Sequence, residues 1–219
     1  MWNELDRKAI ASARALAADA VQHAGHGHPG TAMALAPAAY LLFQKHLRHN
    51  PANPDWAGRD RFVLSAGHSS MTLYTQLFLS GYGLEIEDLK QFRRMGSLTP
   101  AHPEYGHTAG VETTTGPLGQ GIAMATGMAI AAKRVHATTE SDLFDPTIWV
   151  IAGDGCLQEG VSAEASSLAG HLQLGNLVLI YDDNSISIDG HTNLSFSEDV
   201  SARYRAYGWD VIEVPMGDD

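Results

Sequence analysis

Basic residues are scarce in this chain. Lysine and arginine number 14 against 25 aspartates and glutamates, a formal net charge of −11. A nucleic-acid-binding surface needs a basic patch, and this deficit argues against one. Cysteine is scarcer still. Cys156 stands alone, which excludes an internal disulfide and suits a reducing compartment, so a cytoplasmic location is expected. No apolar run approaches the ~18 residues of a membrane span. The N-terminal stretch carries Asp6, Arg7, Lys8, Arg14 and Asp19, where a signal peptide would have a continuous apolar core. Internal repeats and low-complexity tracts are also missing. What is present is globular: 219 residues, 44% hydrophobic and 18% charged, are enough to bury a sizeable core.

Periodicity and punctuation divide the chain. Residues 4–23 read as a helix with Asn3 as its N-cap, the apolar stripe being Ile10, Ala13, Leu16, Ala17, Ala20 and Val21. Residues 25–30 read as a loop, and a second helix is expected from Thr31 to about Leu47, kinked at Pro37. A short strand over 61–64 leads through Gly67-His68 into a helix over 70–79, and a further short helix is expected over 85–93. The stretch 96–115 is a long loop, too long for a plain connection, and is expected to serve a site. A buried Gly- and Ala-rich helix is expected over 119–136, then a surface linker over 138–146. The last third alternates: strand 147–152, helix 157–172, strand 177–181, helix 198–207 and strand 209–214. Such alternation indicates parallel βαβ units.

The chemistry concentrates between Gly153 and Asn184. Gly-Asp-Gly at 153–155 ends one expected strand and Asp183-Asn184 ends the next, where open α/β sheets bind ligands. Mg²⁺ prefers hard oxygen ligands, usually one or two carboxylates plus phosphate oxygens. Asp154 offers a carboxylate, Asn184 a neutral amide oxygen and Ile186 a backbone carbonyl. Gly153 and Gly155 permit close approach of a phosphate, whose charge a following helix N-terminus favours. Gly-Asp-Gly alone is ordinary strand-to-helix punctuation; its pairing with Asp183-Asn184 one βαβ step later points to a metal–diphosphate site.

Gly-Asp-Gly, 27 residues and then Asp183-Asn184 resembles the thiamine diphosphate signature. G-H-P-G at 27–30, D-R-F-V-L-S-A-G-H at 60–68, G-V-E-T-T-T-G-P-L-G-Q-G at 110–121 and I-S-I-D-G-H at 186–191 narrow the resemblance to the transketolase family, from about Ala9 onward. The run at 110–121 is the most specific; the related synthase that makes deoxyxylulose phosphate lacks it. Two positions depart from the family pattern: Ser69 follows the G-H motif where Gly is common, and His26 precedes G-H-P-G where Ser is common.

The resemblance implies an α/β fold, a doubly wound parallel sheet with helices on both faces, and residues 1–219 as a C-terminally incomplete diphosphate-binding domain. It implies transfer of a two-carbon ketol unit from a ketose phosphate to an aldose phosphate in the pentose phosphate pathway, with thiamine diphosphate and Mg²⁺, for which Ca²⁺ may substitute. Asp154, Asn184 and Ile186 would hold the metal. His68, Gly153, Gly155 and Asn184 would hold the diphosphate, and Gly116, Pro117 and Leu118 would contact the cofactor rings. His28 and His102 would bind and orient the sugar phosphate, since imidazole donates, accepts and moves protons near neutral pH. Glu159 and Glu164 would join an acidic network across a dimer interface. The remaining pyrimidine-binding part would come from a homodimer or partner chain, because a family polypeptide would be roughly three times longer. The chain is then a truncated polypeptide, a fragment or half of a split enzyme, inactive alone. Two alternatives stay open: another thiamine diphosphate branch, such as a 2-oxoacid dehydrogenase component, and a non-catalytic partner-binding module. A metal cluster of His23, His26 and His28 lacks an acidic or cysteine ligand at matching spacing. His46, His49, His136 and His171 read as surface histidines.

Overall fold

The computed structural model describes residues 2–187 and 190–214. They divide into two compact units, one of residues 2–59 and 67–116, the other of residues 60–66, 117–187 and 190–214.

The first unit is helical. Helix α1 (Glu4–Ala24) begins at a reciprocal cap: Asp6 N donates to Asn3 Oδ1 at 2.8 Å and Asn3 N donates to Asp6 Oδ2 at 2.9 Å. It ends at Gly25, whose φ of +80° closes the left-handed cap. The single kinked helix expected over 31–47 is instead three pieces: α2 (Pro29–Ala34), α3 (Ala36–Leu41) and a π turn over Leu42–His46. The break falls at Leu35, so Pro37 lies in the first turn of α3, where its missing N–H leaves no bond unmade. His49 is not a plain surface residue. It is partly buried, with Nε2 bonded to the Phe43 carbonyl and Nδ1 to the Tyr82 hydroxyl, both at 2.9 Å. Helix α4 (Ser70–Ser80) is almost wholly buried and packs against α1, α2 and α3. Helix α5 (Ile86–Lys90) is shorter than the helix expected over 85–93, and residues 91–116 of this unit form an irregular loop that takes in the loop expected over 96–115.

The second unit is α/β. Strands β1 (Arg61–Leu64), β2 (Ile148–Gly153) and β3 (Leu177–Asp182) form a parallel sheet in the order β1-β2-β3. The register sets Leu64 beside Ile151, Ala152 beside Tyr181, and Gly153 beside Asp182. Helix α6 (Gln120–Thr139) packs on the strands through Ile122, Ala125 and Ala129, but its second half is largely exposed rather than buried as expected. The helix expected over 157–172 is two: α7 (Asp154–Leu157) and α8 (Gly160–His171), parted where Glu159 turns extended. A two-residue ladder joins β4 (Ile186–Ser187) to β5 (Gly190–His191), while Ile188 and Asp189 of that motif lie outside the described residues. Helix α9 (Val200–Ala206) starts at Asp199, whose carboxylate accepts from Ala202 N. Residues 209–214 are not the expected strand. Trp209 instead donates its indole N–H to the Ser166 carbonyl at 2.9 Å and packs against the Tyr204 ring. Among the described residues no strand pairs with this segment, and Ile212 and Val214 are exposed.

Candidate active site

Three of the expected histidines gather in the first unit. His28 stands at the N-terminus of α2 and His68 in the 3₁₀ turn Gly67–Ser69, their ring centroids 5.0 Å apart in an edge-on arrangement. His102 comes from the long loop, held by hydroxyls of α4: Ser70 donates to the Ala101 carbonyl at 2.8 Å, and Tyr74 to the carbonyls of Pro100 and His102 at 3.0 and 3.2 Å. Gly116 lies against the His102 ring, where an added Cβ would stand 3.5 Å from Cγ. Gly67 admits no side chain: a Cβ there would meet Gly116 N and Thr115 Oγ1 at 2.8 Å. The cluster therefore depends on this close backbone approach.

The three imidazoles are biased toward neutrality. Burial pushes His68 down to about 4, with His28 and His102 adding like-charge repulsion. Burial also lowers His28 and His102, and the Arg93 guanidinium lowers both further. Arg93 was not singled out by its sequence context. It sits at φ +64° with its Nε buried and without a partner among the described residues. Ser69, one departure from the family pattern, is buried, and its hydroxyl is bonded to that of Thr72 at 2.6 Å. The other, His26, is exposed and bonded to the Ala24 carbonyl.

A second constellation lies at the C-terminal ends of β2 and β3. Asp154 is 4% exposed; its Oδ1 accepts from the Tyr181 phenol, while Oδ2 is buried and has no partner among the described residues. Burial holds this carboxyl above the ordinary carboxylate value; Asp183 and Asp182 add to the effect and the Tyr181 bond opposes it. Burial also raises Asp182, which accepts from Asn184 Nδ2 at 2.8 Å. The Asn184 amide oxygen in turn accepts from Ile186 N at 2.9 Å. Gly155 leaves room that Leu118 occupies, since an added Cβ would meet Leu118 Cδ1 at 2.7 Å. Tyr181 and Asp182 are the members that residue spacing did not flag.

The donor set suits a hard divalent cation. A buried carboxylate oxygen without a partner is costly unless a positive group meets it. Among the described residues no three His, Cys, Asp or Glu side chains are grouped to hold a metal, so a cation here would draw on amide and carbonyl oxygens as well. Glu159 and Glu164 stand apart. Glu159 caps α8 beside Gly119, whose added Cβ would meet Glu159 Cβ at 2.6 Å. Glu164 is exposed and borders a shallow depression with Ser167, Leu168 and Tyr207. Pro117 is exposed.

Comparison with known proteins gives one family. The family model described as "Transketolase, thiamine diphosphate binding domain" matches residues 5–219. Transketolase of Mycobacterium leprae is 58% identical over 224 residues, covering 100% of this chain and 32% of the relative. Transketolase 2 of Saccharomyces cerevisiae is 58% identical over 221 residues, with the same coverages. Among solved structures, the Pichia stipitis transketolase complex with sedoheptulose-7-phosphate superposes with a TM-score of 0.96 at 54% identity, over 99% of this chain and 32% of that one. Leishmania mexicana transketolase superposes with a TM-score of 0.95 at 50% identity, over 100% and 33%. The chain thus spans about a third of the length of these relatives. Its fold is the α/β fold of the structures it matches, and the chain belongs to the transketolase family, matching it in the thiamine diphosphate-binding domain.

Proposed function

We propose that residues 1–219 serve as the diphosphate-binding domain of a transketolase, acting in transfer of a two-carbon ketol unit between sugar phosphates with thiamine diphosphate and Mg²⁺. When bound, the cofactor supplies the electron sink for breaking and making the carbon–carbon bond. Asp154, Asn184 and the Ile186 carbonyl would hold the cation. His68, Gly153, Gly155 and Asn184 would bind the diphosphate, and Gly116, Pro117 and Leu118 the rings. His28 and His102, with values lowered by burial and Arg93, would be neutral at pH 7 and so able both to donate to and accept from sugar hydroxyls. The Pichia stipitis complex with a sugar phosphate supports that substrate class.

The observation that carries this reading is Asp154: a carboxylate almost closed to solvent, just past the end of β2, with one oxygen lacking a partner among the described residues. A partner chain, in a homodimer or otherwise, is the further element of the proposal. Val161, Leu168 and Leu172 expose about two-fifths of their surface along or just beyond α8, beside Glu159 and Glu164, an apolar stripe suited to another subunit. Calorimetric titration of thiamine diphosphate in the presence of Mg²⁺ tests the site. Asp154→Ala is expected to weaken binding by at least about tenfold, as loss of a carboxylate ligand should; undiminished affinity would refute the metal assignment.

A further inference from the structure

We propose that Tyr181 is a positioning residue that sets the cation preference of the Asp154 site, by tying up one carboxylate oxygen so that only the other can meet a metal. The inference rests on the reading of Asp154 as a metal ligand.

The geometry is specific. Tyr181 lies on β3 one residue before the strand's end, opposite Ala152. Its ring packs against the buried core of the second unit, beside Ala152 and its neighbours. From there the phenol donates to Asp154 Oδ1, and Asp183 Oδ1 lies 3.4 Å from the same hydroxyl. Asp154 Oδ2 is left without a partner among the described residues. The second side-chain donor is oriented in the same manner: Asp182 holds the Asn184 NH₂ group and Ile186 N holds one side of its amide oxygen. Both donors are thus restrained by neighbours before any ion arrives.

Such restraint discriminates between cations. Mg²⁺ demands near-ideal octahedral geometry and usually takes one oxygen from each carboxylate; Ca²⁺ accepts more oxygens in looser arrangements and takes carboxylates by one oxygen or both. A carboxylate with Oδ1 engaged by a phenol offers one oxygen, which suits Mg²⁺. Without the phenol, Oδ1 is released and the bidentate mode available to Ca²⁺ opens.

The test is calorimetric titration of Mg²⁺ and of Ca²⁺ into the protein saturated with thiamine diphosphate. Tyr181→Phe is expected to weaken Mg²⁺ by about tenfold, the lower end of what losing an outer partner costs a metal site, while Ca²⁺ holds or tightens. Asp183→Asn removes a charge beside the same hydroxyl but leaves the bond to Asp154, and is expected to keep the Mg²⁺/Ca²⁺ ratio of the unmodified protein. Circular dichroism checks folding; Tyr181→Met, smaller but adaptable and without a donor, replaces Tyr181→Phe if that variant does not fold. Equal changes for both ions in the Tyr181 variant would overturn the proposal, as would an Asp183→Asn shift in ratio as large as that of Tyr181→Phe. Asp154→Ala in the same titration separates the two layers: unweakened Mg²⁺ binding there overturns the site itself, whereas weakened binding with an unmoved ratio in the Tyr181 variant overturns only the role of Tyr181.

Discussion

Acid should loosen the histidine cluster, and His68 allows the size of the effect to be worked out. Its imidazole falls from an ordinary 6.5 to about 4 in the folded chain, through burial first and the neighbouring His28 and His102 second. The unfolded chain therefore binds more protons between those two values. The contribution to stability is fully present above about 6.5 and is lost as pH falls toward 4. Between pH 7.5 and pH 5 the linkage relation gives about 2 kcal/mol for such a displacement. The ring is partly open to solvent, and screening reduces this to about 1 kcal/mol. Asp154 and Asp182 have raised values and work in the opposite direction at acid pH, so the comparison must be with a single variant. Urea unfolding of the cofactor-free protein from pH 5 to 8, with and without His68→Gln, isolates the term. The unmodified protein should lose about 1 kcal/mol more than the variant over that interval. Parallel stability curves would show that His68 is not held neutral by its surroundings.

Two further outcomes follow from packing. Gly67→Ala drives a Cβ into the Thr115–Gly116 backbone, which must shift, and should cost about 1–3 kcal/mol and move the His102 ring resonances in NMR spectra; an unchanged His102 signal would contradict the close approach. Arg59 meets Glu112 through two bonds, Nε to Oε1 at 2.7 Å and an Nη to Oε2 at 3.0 Å, with both side chains mostly buried. Arg59→Met removes both of these bonds from a mostly buried carboxylate and should lower unfolding free energy by about 3 kcal/mol in denaturant titration, where a loss below about 1 kcal/mol would refute the burial argument.

What could be read in advance was local. Asn3 marked the start of α1 because caps act within one turn of the chain. Gly-Asp-Gly and Asp183-Asn184 were legible because strand ends in α/β sheets gather ligand groups, and β2 and β3 end there. The breaks at Leu35 and Glu159 were hidden because apolar periodicity runs through them. A strand over 209–214 was misread because alternation says nothing about whether a neighbouring strand exists. Tyr181 escaped notice for a related reason. Its hydrogen bond to Asp154 joins β3 to the first residue of α7 and is set by the parallel register of β2 and β3, which single-residue spacing does not encode. Arg93 acts on His28 across a distant stretch of chain in the same way.

The hydroxyls of Ser70 and Tyr74 grip the long loop only by its carbonyl oxygens, at Pro100, Ala101 and His102. Every amino acid carries that oxygen. The loop's path is thus written on helix α4, and side chains at 101 and 102 are released from holding it in place. An imidazole at 102 can answer to chemistry alone, and substitutions there can retune what the cluster recognises while the backbone that delivers them stays where it is.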